Sequence, residues 1–228
     1  TTDVVMPFAI VGRASADANQ LFPPVGYPTR TDDYDDTMVG YQIKATSDTY
    51  KDLVLGGWSI YGSNGARTLT LMQDDTGKYL EFSKGGGTSG STVGVYDLGN
   101  VGKQFIVDTQ MRFVANTTIG YHDKTPNNTN TTAFAVSYTG GVITSGSGSI
   151  SGLENNKWYR LVLSCDTSVG TYSVWVYDGE ELLGEILDQA TTQGTTSPRW
   201  IAVSGEFPVN LTDMTIYTPV ASAMEIKT

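Results

Sequence analysis

The chain has 228 residues, 14 Lys+Arg against 24 Asp+Glu for a formal charge of −10, and 17% charged residues overall. It contains no run of about 18 apolar residues, one cysteine and no cluster of cations, which excludes a membrane-spanning helix, a disulfide scaffold and a nucleic-acid binder. Its 26 Gly, 13 Tyr, 7 Phe and 4 Trp supply a core and lack heptads, which excludes a disordered chain and a coiled coil.

Residues 1–45 are irregular, punctuated by Pro7, Pro23, Pro24 and Pro28 and by the acidic stretch Thr31-Asp32-Asp33-Tyr34-Asp35-Asp36. Short apolar pieces at 4–11 and 38–43 are candidate strands. Strand-like runs then recur at 58–61, 68–72, 79–83, 91–98, 105–114, 132–138, 157–165, 171–177, 181–186, 199–203 and 214–219. The connectors between them are rich in Gly, Asn, Asp and Ser, as in Asp74-Asp75-Thr76-Gly77, 84–90, 127–130, 140–152 and Asp178-Gly179. Asp-Gly and Thr-Gly between alternating runs are hairpin signals. No amphipathic helix is apparent, and no linker-like break splits the chain. Many short strands with regular turns predict one all-β domain over 1–228, an antiparallel β-sandwich or jelly roll with its core at 50–220.

Period-2 alternation assigns side chains to faces. Phe105, Val107, Thr109, Met111 and Phe113 point one way, and Asp108, Gln110 and Arg112 the other. Tyr159, Leu161, Leu163 and Cys165 share a face opposite Trp158, Arg160 and Ser164. Tyr172, Val174 and Val176 alternate with Ser173, Trp175 and Tyr177. If these strands share a sheet, its second face collects Gln110, Arg112, Arg160, Trp175 and Tyr177, a set suited to gripping something polar and flat.

Three stretches carry a resemblance. Asp75-Thr-Gly-Lys-Tyr-Leu-Glu-Phe82 follows Gly56-Gly57-Trp58; Glu154-Asn-Asn-Lys-Trp-Tyr-Arg-Leu-Val-Leu163 precedes Thr171-Tyr-Ser-Val-Trp-Val-Tyr-Asp-Gly179; and Val209-Asn-Leu-Thr-Asp-Met-Thr-Ile-Tyr217 closes the pattern. Together these resemble the concanavalin A-like lectin/glucanase superfamily, in its carbohydrate-binding-module and laminin-G-like branches. The resemblance implies two curved antiparallel sheets, a concave face for sugars and, often, a structural Ca2+. It places Trp58 and Trp158 in structural positions. Through it Asp213, before the last strand, becomes a candidate metal ligand together with the dense carboxylates Asp32, Asp33, Asp35 and Asp36.

The Glu-x-Asp-x-x-Glu strand of retaining glucanases of this fold is absent, and Glu180, Glu181 and Glu185 are wrongly spaced to replace it. Jelly-roll polysaccharide lyases instead need a Tyr or His base and an Arg or Gln to neutralise a uronate carboxylate. Tyr121, His122 and Arg112 are the candidates, with Tyr121-His122-Asp123-Lys124 opening a loop. Aromatic rings stack on the apolar face of sugars while polar neighbours fix the hydroxyls. Trp175, Tyr177, Trp200 and Tyr138 are the candidate platforms, with Gln110, Arg112 and Arg160 as hydrogen-bonding partners. Cys165 lies in an apolar strand and reads as a buried small hydrophobe. The sequons at Asn116, Asn127, Asn130 and Asn210 matter only in a glycosylating host.

The expectation is a non-catalytic carbohydrate-binding module gripping a polysaccharide. A lyase acting on an acidic glycan and a structural or adhesive surface module are the alternatives. Thr1-Thr2-Asp3 lacks the basic and apolar regions of a leader. The acidic, Thr/Asn/Gly-rich, cysteine-poor composition predicts a secreted or cell-surface protein, with further domains of a larger secreted chain as possible partners.

Overall fold

The computed structural model describes residues 39–40, 42–44, 54–55, 57–60, 67–84, 92–99, 101–123, 132–192, 195, 198–206 and 208–218. The expected strand at 4–11 and Asp32, Asp33, Asp35 and Asp36 lie outside them. The described residues form sixteen strands in chain order: β1 Gln42–Lys44, β2 Val54–Leu55, β3 Trp58–Ile60, β4 Arg67–Asp74, β5 Gly77–Lys84, β6 Thr92–Asp97, β7 Gln104–Phe113, β8 Thr117–His122, β9 Thr132–Thr139, β10 Val142–Ser145, β11 Gly148–Ser151, β12 Trp158–Asp166, β13 Thr171–Asp178, β14 Glu181–Ala190, β15 Trp200–Gly205 and β16 Val209–Tyr217.

These strands make two eight-stranded antiparallel sheets, ordered β1-β4-β5-β16-β7-β12-β13-β14 and β11-β10-β9-β8-β15-β6-β3-β2. The chain is therefore an all-β antiparallel sandwich, and no helix occurs among the described residues. The expected connector 140–152 is instead the two short strands β10 and β11, and Tyr121-His122 ends β8 rather than opening a loop. Gly-Ser composition hid these strands, because they owe their place to ladder bonds and to a few buried residues such as Ile143 and Ile150.

The inner faces meet in an aromatic core. Phe113 of β7 stacks on Tyr138 of β9 at 4.5 Å, and Tyr121, Phe134 and Tyr172 stack in sequence at 4.5 and 4.3 Å. Each such large side chain contributes about 1.5–3 kcal/mol by leaving water. Close approach is specified by missing Cβ atoms. A Cβ on Gly148 of β11 would meet Ile186 of β14 at 2.4 Å, so the two edge strands there press together. Across the core, Gly94 of β6 makes room for Phe82 of β5, whose ring a Cβ would approach to 2.2 Å.

Candidate functional site

With the core taking Phe105, Val107, Met111 and Phe113, β7 must turn Asp108, Gln110 and Arg112 to the outer face of the first sheet. Beside it β12 brings Trp158, Arg160 and Val162, and β13 brings Trp175 and Tyr177, with Arg160 opposite both Gln110 and Tyr177 in register. Gln110, Arg112, Arg160, Trp175 and Tyr177 thus occupy one face. Their exposure divides that face in two.

Towards β14 the face is closed. Val162, Trp175 and Tyr177 form a second apolar cluster with Ile106 and Leu187, and Trp175 is 1% exposed. The Trp175 indole N–H donates to Glu185 Oε2 at 3.1 Å. Arg160 donates through Nε to Asp108 Oδ1 at 3.0 Å and through Nη2 to Oδ2 at 2.9 Å, and its guanidinium lies 5.1 Å from the Tyr177 ring centre. The expected roles change accordingly. A buried Trp175 or Tyr177 ring has no free face for a sugar, and Arg160 spends its fork on a carboxylate of this chain.

Towards β5 the face is half-buried rather than closed. Arg112 sits between two rings, 4.6 Å from Tyr79 and 4.8 Å from Trp158. Its Nη1 donates to Asp74 Oδ2 at 2.7 Å. With the Asn210 amide oxygen turned towards it, that oxygen accepts from Nη2 at 2.7 Å and Nε at 2.9 Å. Burial alone would raise the Asp74 carboxyl, but hydrogen bonds from Thr76 and the Arg112 contact outweigh it and hold it below the usual value. Glu81 moves the other way: burial raises it, and Arg112 offsets only part of that.

Next to the Arg112 stack is a cleft of about 340 Å³ lined by Thr76, Gly77, Lys78, Gln110, Trp158, Thr212 and Asp213, within the range of about 300–1,000 Å³ of small-ligand sites. A bulge builds its floor. Between Thr212 and Thr215 β16 has one residue more than β7 between Gln110 and Asp108. Leu211 and Met214 both face the core, so Thr212 and Asp213 both face out. Asp213 takes φ 53° there, a left-handed conformation that Asp tolerates better than most residues. Thr212 Oγ1 donates to the Lys78 carbonyl at 3.1 Å and ties the bulge to β5. The cleft therefore places an indole, an amide, an ammonium and a carboxylate around one space. A cavity of about 20 Å³ between the sheets, lined by Trp58, Met111, Leu161 and other core residues, is a packing void.

The remaining expected residues lie elsewhere. Tyr138 is 1% exposed in the core, where its hydroxyl donates to Asn155. Trp200 is on the outer face of the second sheet, buried, with Arg199 5.2 Å from its ring. Tyr121 is buried between the sheets, and burial raises its phenol well above the ordinary value. His122 turns to the outer face of the second sheet and lies over Gly120, where a Cβ would meet its Nε2 at 2.5 Å. Burial lowers its imidazole, with Asp123 partly opposing. Tyr121, His122 and Arg112 thus occupy three different layers of the sandwich and do not assemble a base with a neutraliser. Among the described residues no three His, Cys, Asp or Glu gather as metal ligands. Asp213 is the one expected ligand within the described residues; Asp32, Asp33, Asp35 and Asp36, which would have to supply the other oxygens, lie outside them.

Lys78, Thr76 and Thr212 line the cleft without any signal in the sequence that marks them, and Trp158, expected in a structural position, lines it too. The alternation already put Trp158 beside Arg160 on the outer face. No period-2 signal marks the bulge.

No protein-family model matches this chain, and no curated protein does. Among solved structures it is similar to part of a sialidase, with a TM-score of 0.52 and 14% identity over 72% of this chain; it spans 17% of that chain's length. It is also similar to an endo-β-1,4-glucuronan lyase from the fungus Trichoderma reesei (TM-score 0.47, 11% identity, 78% of this chain and 94% of that one). A third is the exoplasmic/lumenal domain of VIP36 in a Ca2+/Man3GlcNAc-bound form (0.46, 10%, 75% and 90%). The likeness to the sialidase is one of fold, an antiparallel β-sandwich.

Proposed function

We propose that this chain is a non-catalytic carbohydrate-binding module that seats a polysaccharide in the cleft of Gln110, Trp158, Lys78, Thr212 and Asp213. The observation that carries this reading is the β16 bulge, which turns two successive polar residues out beside an indole ring and an amide. Sugar rings need this pairing, an apolar surface for their C–H face and mixed donors and acceptors for their hydroxyls. A non-Gly residue in a left-handed conformation, here Asp213, is a feature that concentrates at binding sites. The likeness to part of a sialidase agrees with a glycan ligand. The separation of Tyr121, His122 and Arg112 into three layers supports binding over β-elimination. A secreted or cell-surface setting and companion domains belong to this reading.

Affinity electrophoresis through gels containing soluble polysaccharides, run alongside ultraviolet absorbance of the same mixtures, tests it. Retention without growth of unsaturated-product absorbance is expected. Absorbance growth would replace the reading with a lyase, and retention by no polysaccharide would leave a structural or adhesive module.

A further inference from the structure

Resting on that reading, we infer that the cleft takes an uncharged polysaccharide and excludes polyuronates. Among the described residues the outer face of the first sheet carries two guanidiniums, groups that would recruit an acidic glycan. Both are already matched by carboxylates of this chain. Arg112 is bound by Asp74 at 2.7 Å, and Arg160 by Asp108 at 3.0 and 2.9 Å. Asp108 and Arg160 are buried, which fixes that pair below the surface.

The charges around the cleft are mixed. Lys78 and Asp213 line it together. One row of the sheet runs Glu81, Asn210, Arg112, Trp158, so a further carboxylate flanks the Arg112 stack. A uronate repeats a negative charge on every residue and would meet the Asp213 carboxylate, with Lys78 as the cation in the cleft lining and both described guanidiniums of this face already matched. The net charge of −10 adds a repulsive field at longer range. Like charges brought together across an interface suppress the wrong partner. A neutral sugar meets no such term. Its hydroxyls both donate and accept, which fits the Gln110 amide, the Lys78 ammonium and the Asp213 carboxylate, and its C–H face fits Trp158.

The test is affinity electrophoresis on hydroxyethylcellulose, galactomannan and arabinoxylan against alginate and polygalacturonate, each at low and high NaCl. Retention by at least one neutral polymer is expected, changing less than about twofold with salt, because no net charge is screened. Polyuronate affinity is expected to be weaker by about tenfold or more. Asp74→Asn strips Arg112 of its counter-charge and is expected to raise polyuronate retention in a salt-sensitive way. Wild-type retention by a polyuronate that Gln110→Ala abolishes would overturn this inference and leave the binding-module reading standing. Retention by no polymer would overturn both. An Asp74→Asn variant that folds, binds the neutral polymer and gains nothing on polyuronates would show that matched guanidiniums do not set the preference.

Discussion

Arg160 reaches diagonally from β12 to Asp108 on β7 and grips it with two parallel bonds, Nε to Oδ1 at 3.0 Å and Nη2 to Oδ2 at 2.9 Å, with both residues buried on the outer side of the sheet. Each charge makes the other tolerable in that setting. Asp108→Ala leaves a buried guanidinium without this carboxylate and is expected to cost about 3–5 kcal/mol, read as a lower urea midpoint. The double change Asp108→Leu with Arg160→Met is expected to recover most of that loss. A single-site cost under about 1 kcal/mol would show that the pair is not buried in solution.

Gly94 tests the distance between the sheets. An added Cβ would lie 2.2 Å from Cε1 of Phe82, a ring with 0% exposure, so there is no open space for it to move into. Gly94→Ala is expected to destabilise by about 1–3 kcal/mol through overpacking. Gly94→Ala with Phe82→Leu is expected to regain part of it. Calorimetry of the two variants checks both statements, and an unchanged Tm for Gly94→Ala would contradict the close approach.

His122 is the chain's single histidine, and burial lowers its imidazole below its ordinary value of about 6.5. The unfolded chain therefore takes up the proton first as pH falls. The contribution of this group to stability is full above pH 6.5 and is lost as pH falls through the folded value. Wild type is expected to lose more stability than His122→Gln between pH 7 and pH 5.5, measured as urea midpoints. Parallel pH dependence in the two proteins would show that the ring is solvated.

Cys165 is buried, and burial pushes its thiol up to about 12. At neutral pH it is a thiol without nucleophilic strength. A disulfide reagent is expected to label it only as fast as the protein unfolds, with the rate rising through the urea transition. Rapid labelling of the native chain would place it at the surface.

Much of the sandwich is legible in the sequence because period-2 alternation is local. It assigns Phe105 to Phe113 and Tyr159 to Cys165 to their faces without knowledge of neighbours. The short strands β10 and β11 are hidden because Gly and Ser carry no periodic signal. Exposure is hidden for another reason: it depends on partners distant in sequence. Arg112 finds Asp74 38 residues away and Arg160 finds Asp108 52 residues away. Alternation places these cations on a face but does not say that they are already paired. Tyr138, Tyr121, His122 and Trp200 escape the expected site because local pattern does not say which sheet a strand joins. The cleft itself depends on one extra residue in β16, which breaks the alternation at Thr212 and Asp213.

Whether the cleft beside Trp158 holds a glycan is decided by calorimetric titration of wild type, Gln110→Ala and Trp158→Ala against a polysaccharide retained in the gel screen. Both variants are expected to keep the wild-type circular dichroism. Trp158→Ala is predicted to lose about 2 kcal/mol of binding, roughly thirtyfold in Kd, and Gln110→Ala a smaller part of that. Wild-type affinity in both folded variants would move the glycan away from this face.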